Sequence, residues 1–321
     1  MDVVILGGGV FGLVVATRLV EAGIVPRLCE RGASLGEGAA SWLAGGMLAP
    51  FCEVATTDRS IVAPGLSGID WWDHAAGCVE RHGTLVVQAG RDGAQLRQFA
   101  ARAETHEWLD GAAIDALEPG LAGRFRQGLF FAQEAHMRPR LAMARLAESL
   151  SARGVPIAFG QPAEPADFGG AWVLDCRGAR ADVPGLRAVR GEMLIVQSDE
   201  IALTRPVRIL HPRWPVYVVP HGAGRFMIGA SMIESADARG VTLRSAVELM
   251  NVAYALHPAF ADAQIVEMRS GLRPALPDNL PRYVASARGG ALAGAYRHGF
   301  LLAPDIARQA VEALLQARNA A

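Results

Sequence analysis

Three glycines, Gly7, Gly9 and Gly12, follow directly on the apolar run Val3-Val4-Ile5-Leu6 with the spacing G-x-G-x-x-G. That spacing handles phosphates with backbone alone. Gly7 allows a tight turn, Gly9 lets a pyrophosphate approach the chain, and Gly12 lets helix and strand pack closely. A helix starting near Val10 and Phe11 then offers N–H groups and a partial positive charge to the phosphates. Glu30 ends the next short apolar run, where its carboxylate can accept hydrogen bonds from ribose hydroxyls. The spacing alone is weak evidence, and a Gly-rich structural turn is the plain alternative. With strand, helix and acid in place it predicts a dinucleotide site. It does not separate FAD from NAD.

Further segments carry possible chemistry. Ser41-Trp42-Leu43-Ala44-Gly45-Gly46-Met47-Leu48-Ala49-Pro50 is rich in small residues, so its backbone can lie close to a flat ligand, although an ordinary buried loop reads the same. Arg273 in Gly271-Leu272-Arg273-Pro274 stands in an apolar, Gly-containing stretch, and so does Arg297 in Gly294-Ala295-Tyr296-Arg297-His298-Gly299. A buried guanidinium needs an anionic partner. A ligand and an internal carboxylate both satisfy that need, and the residues leave the two open. Gly299, Phe300 and Leu301 lead into a helix expected over 303–317, whose N–H groups can point at a cofactor ring.

These residues need a scaffold. The opening reads as a βαβ unit, with a strand over 3–6, a helix over 10–22 and a second strand to Glu30. Helices are expected over 64–76, 94–109, 140–153 and 243–256, and strands over 85–87, 129–131, 172–176 and 289–294. Residues 192–233 are strand-rich, with strands over 193–197, 215–219 and 225–229. The last two are joined by Pro220-His221-Gly222-Ala223-Gly224, a hairpin loop and hence antiparallel sheet. The two sheet styles interleave, which predicts domains discontinuous in sequence. A chain of 321 residues fits about two domains.

Composition excludes several chemistries. All 31 basic residues are arginines. Without lysine there is no Schiff-base chemistry and no P-loop. The net charge of −1 argues against a generally basic nucleic-acid surface. Cys29, Cys52, Cys78 and Cys176 form no C-x-x-C and no zinc-finger spacing, so reduced thiols and no metal site are expected. Asp2 precedes the first apolar run, where a signal peptide carries positive charge. Arg18 and Glu21 interrupt that run, and no membrane helix is read elsewhere. The expectation is a cytoplasmic protein.

The opening motif, Ala44-Gly45-Gly46-Met47-Leu48, Gly271-Leu272-Arg273-Pro274 and Tyr296-Arg297-His298-Gly299 occur in the order seen in FAD-dependent amine oxidases of the D-amino-acid oxidase group. Within that group the chain most resembles the glycine oxidases of thiamine (thiazole) biosynthesis. Asp175-Cys176-Arg177-Gly178, Arg190-Gly191-Glu192-Met193, Val216-Tyr217-Val218-Val219-Pro220 and Gly229-Ala230-Ser231-Met232 agree, so the resemblance runs from Val3 to about Ala313. It implies an α/β fold, α+β overall. A Rossmann-like FAD-binding domain with parallel sheet would comprise 1–79, 137–185 and 266–321. A substrate domain on a mostly antiparallel sheet would comprise 80–136 and 186–265.

The resemblance also implies roles. Arg273 pairs with the substrate carboxylate and Tyr217 helps hold it. Arg297 lies near flavin and substrate. Met232 lines the pocket, a core methionine being the alternative. Ala44, Gly45, Gly46 and Met47 border the isoalloxazine. Gly7, Gly9, Val10, Phe11, Gly12, Glu30, Arg31, Ser41, Gly178, His298, Gly299, Phe300 and Leu301 complete the FAD-binding set.

Two positions depart from the family. Pro215 stands where some glycine oxidases have histidine. His298 stands where others have asparagine, and its side chain is expected to point away from the flavin. No cysteine lies beyond Cys176, so FAD is expected to be non-covalent.

The implied reaction is hydride transfer from Cα of glycine, or another small amine or D-amino acid, to flavin N5. It gives an imino acid and, with molecular oxygen, hydrogen peroxide. No acid–base residue is assigned. The implied partners are a small amino acid and oxygen, with no nucleic acid or membrane, and a homo-oligomer is compatible. A D-amino-acid or sarcosine-type enzyme with another substrate or acceptor is the alternative. A non-enzymatic dinucleotide sensor is a third reading, disfavoured by the clamp of Arg273, Arg297 and Tyr217.

Overall fold

The computed structural model describes residues 2–88, 93–211 and 216–320. Val3–Leu6 is buried along its length because it lies inside a six-stranded sheet, parallel to Trp172–Asp175 on one side and Arg27–Cys29 on the other. Ile157–Ala158 extends one edge in parallel. Gly289–Ala293 joins the other side in parallel, and Arg282–Ser286 closes it antiparallel. Helix Val10–Glu21 returns over this sheet and packs against helices Pro139–Ala152 and Gly299–Asn319. A strand covered on both faces has no polar side to present, which is why the opening run does not alternate.

The second sheet has eight strands, in the order Gln264–Ala275, Arg187–Gln197, Arg225–Gly229, Val216–Pro220, Val207–Leu210, Thr84–Gln88, Gln127–Phe131, Glu107–Asp110. All neighbours are antiparallel except Val207–Leu210 with Thr84–Gln88. Helix Leu243–Leu256 covers it, burying Leu249, Val252, Ala253 and Leu256. The three-stranded sheet of Met47–Leu48, Ala135–Met137 and Val79–Glu80 lies where the chain passes between the larger sheets. The mixed α/β architecture with one mostly parallel and one mostly antiparallel sheet is as expected. Among the described residues no helix is long and apolar enough to cross a membrane.

The structure corrects several elements. The helix expected over 94–109 stops at Ala100; the chain turns through Thr105 at φ 55°, and Glu107–Asp110 pairs as an edge strand with Gln127–Phe131. Cross-strand pairing overrides local helix propensity there. Val207–Leu210 and the twelve-residue strand Gln264–Ala275 were not anticipated. The latter runs through the boundary drawn at 265/266 and pairs with Arg187–Gln197. Its charged Glu267 and Arg269 hid its strand character. The strand expected from 215 is described from Val216; Pro215 lies outside the described residues.

The last helix begins at Gly299, not near 303, with Pro304 inside it. Proline has no N–H for the carbonyl four residues earlier, which is that of Phe300. The indole Nε1 of Trp72 donates to that oxygen instead, at 2.7 Å. Trp72 is fully buried on helix Val62–Ala76, so this bond docks the two helices. Trp72→Phe is expected to leave the Phe300 carbonyl unpaired and to cost at least about 1–3 kcal/mol. Chemical denaturation checks this; an unchanged midpoint would show that the carbonyl finds another donor.

Candidate active site

The Gly-rich turn builds one end of the site. Gly7 has φ +100°, and a Cβ on Gly12 would lie 1.8 Å from the Gly7 carbonyl oxygen, so the helix crosses the strand at a distance only glycine permits. The N-cap of helix Val10–Glu21 is Gly9, which has no side chain, and the Val10 N–H donates to Ser41 Oγ at 3.2 Å. Glu30 accepts from the Gly8 N–H at 2.5 Å and the Gly32 N–H at 2.7 Å. A carboxylate has lone pairs beyond these two for ribose hydroxyls. Gly7, Gly9, Phe11, Glu30, Arg31 and Gly178 line a cavity of about 380 Å³. Arg177 also lines it, held by Asp175 and Glu164.

A second cavity of about 180 Å³ adjoins the first; Val10, Ser41, Gly271, Pro274 and Ala295 line both. Its wall includes the loop of Ala44, Gly45, Gly46 and Met47. That loop is fixed by His221 Nε2 against the Gly45 carbonyl at 3.1 Å and by the Met137 N–H on the Gly46 carbonyl at 2.9 Å. Gly299, Phe300 and Leu301 present the first turn of the last helix, whose N–H groups have no partner within the helix. The joined cavities form one trough from Glu30 to Arg273. A helix end with a glycine N-cap near the middle and a Gly-rich loop at the far end suit an extended dinucleotide, so the residues fit FAD.

The charges of the second cavity are unequal. Glu53, on helix Pro50–Val54, accepts from the Tyr217 hydroxyl at 2.6 Å and from Arg297 at 2.9 Å, with Arg208 at 3.4 Å. Burial alone would raise its carboxyl, but the Arg297 and Arg208 guanidiniums, with His298 and Tyr217, bring it down to about 2. Burial pushes the Tyr217 hydroxyl well above its usual range, so it stays protonated and spends its one hydrogen on Glu53. Burial pushes the His298 imidazole down. Its Nε2 meets Thr57 Oγ1 at 3.2 Å and its Nδ1 lies 3.8 Å from Glu53. Arg273 is different. It donates to the Ser231 carbonyl at 2.9 Å and has no carboxylate partner among the described residues. Burial, and then the charge of Arg297, lower it to about 10.

The structure thus brings Tyr217, Met232, Arg273, Arg297 and His298 to one cavity. Met232 is 37% exposed at the mouth, beside the Tyr296 hydroxyl, and is not a core residue. Arg297 has a carboxylate partner in Glu53, whereas Arg273 has none among the described residues and donates only to the Ser231 carbonyl. Of the anticipated cofactor residues, Gly12 lines neither cavity and serves helix packing. Glu53 and Arg208 were missed. Glu53 is a lone charge between Pro50-Phe51-Cys52 and Val54-Ala55, and Arg208 is flanked by Val207 and Ile209, so an apolar setting could have marked both.

Residues 2–313 match the family model for FAD-dependent oxidoreductases (DAO). A Rhizobium etli protein named, provisionally, thiamine biosynthesis oxidoreductase ThiO is 49% identical over 318 residues, covering 98% of this chain and 97% of that protein. A glycine oxidase of Pseudomonas aeruginosa is 27% identical over 360 residues, covering 95% and 92%. The solved structure of glycine oxidase from Geobacillus kaustophilus has the same fold, with TM-score 0.82 at 23% identity, covering 98% of this chain and 94% of that one.

Glu53→Gln removes a buried anion from between two guanidiniums and is expected to cost about 3–5 kcal/mol at neutral pH. The folded carboxyl, at about 2, lies below its ordinary 4.5. Its contribution is therefore complete above pH 4.5 and fades as pH falls towards 2. The stability gap between wild type and variant should narrow over that window. A gap independent of pH there would contradict this charge assignment.

Proposed function

The chain belongs to the FAD-dependent oxidoreductase family, and we propose that it oxidises glycine, or another small amino acid, at Cα. The products are an imino acid and, with oxygen as acceptor, hydrogen peroxide, in support of thiazole formation for thiamine. The single observation that carries this reading is Arg273, a half-buried guanidinium without a counter-ion among the described residues, facing a cavity continuous with the dinucleotide trough. The name of the Rhizobium etli relative supports the thiamine link, and that of the Pseudomonas aeruginosa relative supports glycine.

FAD, when bound, supplies the two-electron acceptor for the Cα hydride. The protein's part is placement. Arg273 takes the substrate carboxylate, where its fork geometry fixes two oxygens at once. Arg297 and Arg208 share the Glu53 carboxylate, whereas Arg273 has no carboxylate partner among the described residues, so Arg273 is the guanidinium of this cavity left to meet a substrate carboxylate. The 44–47 loop sets the floor, and Met232 with Tyr296 narrows the mouth against water. Positioning of this kind supplies rate without an acid–base group. None of Cys29, Cys52, Cys78 and Cys176 lines the cavity bordered by the 44–47 loop, which supports non-covalent FAD.

The test is the visible spectrum of the purified protein before and after glycine is added without oxygen. Flavin bands that bleach with glycine are expected. Bands that bleach with sarcosine or a D-amino acid but not glycine would move the substrate. A protein that neither carries nor takes up FAD would overturn the proposal.

A further inference from the structure

The segment Arg190-Gly191-Glu192 has no part in the reaction as described, yet it underlies Arg273. In the ladder between Arg187–Gln197 and Gln264–Ala275, Gly191 pairs with Gly271. Arg273, two residues on, is therefore its diagonal neighbour on the same face. A Cβ on Gly191 would lie 2.2 Å from the Arg273 Cζ and Nη2 and 2.3 Å from its Nη1. The guanidinium thus lies flat on the Gly191 backbone. Glycine inside a strand weakens it, so this position has a cost that the close approach explains.

Glu192 faces the other side of the sheet and is wholly buried. Ser231 runs beside it in the plane of the strands. The Glu192 N–H donates to Ser231 Oγ at 2.9 Å, the Ser231 N–H donates to the Glu192 carbonyl at 3.1 Å, and Ser231 Oγ lies 3.5 Å from the carboxylate. The Ser231 carbonyl then receives Arg273 Nη1. The same Glu192 carboxylate accepts from the Thr242 N–H and hydroxyl, each at 3.3 Å, with Arg190 Nε at 3.3 Å. Arg190 is tied to Ile233 by backbone bonds in both directions at 2.9 Å. One carboxylate therefore pins both ends of the segment 231–242, which carries Met232 at the cavity mouth.

We propose that Arg190-Gly191-Glu192 is the seat of Arg273. Gly191 is the floor on which the guanidinium lies. Glu192 is a positioning residue that fixes Ser231, so that its carbonyl holds one edge of the guanidinium and leaves the other donors for a carboxylate. This rests on the reading of Arg273 as the carboxylate-binding residue.

The experiment uses the FAD-loaded full chain and acetate as the probe, with binding followed by the change in flavin absorption, alongside KM and kcat for glycine. Gly191→Ala is expected to weaken acetate and raise KM by about 30-fold, from loss of charged hydrogen bonds. Ser231→Ala and Glu192→Gln are expected to raise both by about 3–10-fold, and the double variant by no more than the larger single effect, because they act through one path. Flavin content and kcat at saturation should change far less than KM. Single variants that keep acetate affinity and KM within twofold of wild type, or that lower only thermal stability, would overturn the seat. A Gly191→Ala protein that does not fold leaves Ser231→Ala and Glu192→Gln to decide. Wild-type protein that does not respond to acetate would instead overturn the carboxylate reading of Arg273.

Discussion

The carboxylate of Glu53 sits where distant parts of the chain converge. Its own helix, Pro50–Val54, brings it against Arg208 and Tyr217 from the eight-stranded sheet and against Arg297 and His298 at the start of the last helix. In a medium of low polarity an unpaired charge is so costly that such a cluster forms only when every segment is in place. The cluster therefore fixes the antiparallel sheet relative to the helix end that borders the dinucleotide trough. It also holds both walls of the second cavity at one spacing.

That constraint divides two arginines that look alike. Arg273 and Arg297 each stand in an apolar, glycine-containing stretch. Arg297 ends beside Glu53, and its charge is answered within the protein. Arg273 lies on bare backbone at Gly191 with one carbonyl partner, and its charge is left for something else. The cavity is thus walled by one ion-paired guanidinium, Arg297, and one without a carboxylate partner among the described residues, Arg273. The Tyr217 hydroxyl, already committed to Glu53, belongs to the holding structure as much as to the cavity.

The dinucleotide end was legible because its physics is local. A buried strand, a turn at Gly7, a close crossing at Gly12 and an acid after the next strand all lie within the first 30 residues. The last helix was harder. Pro304 reads as a helix start, but the helix begins at Gly299 because Trp72 supplies the donor that proline lacks. The strand Gln264–Ala275 was hidden in the same way: its charged Glu267 and Arg269 resemble a loop until Arg187–Gln197 pairs with it.

The sequence by itself determined the parallel opening unit, the antiparallel later strands and the glycines of the opening turn. Those properties follow from backbone freedom and side-chain periodicity over a few residues. Only the tertiary structure decided which charges meet. The bonds from Arg208, Tyr217 and Arg297 to Glu53 close sequence separations of 155, 164 and 244 residues. No local spacing encodes such a meeting, because whether a buried arginine is answered or left open depends on what the completed fold places against it.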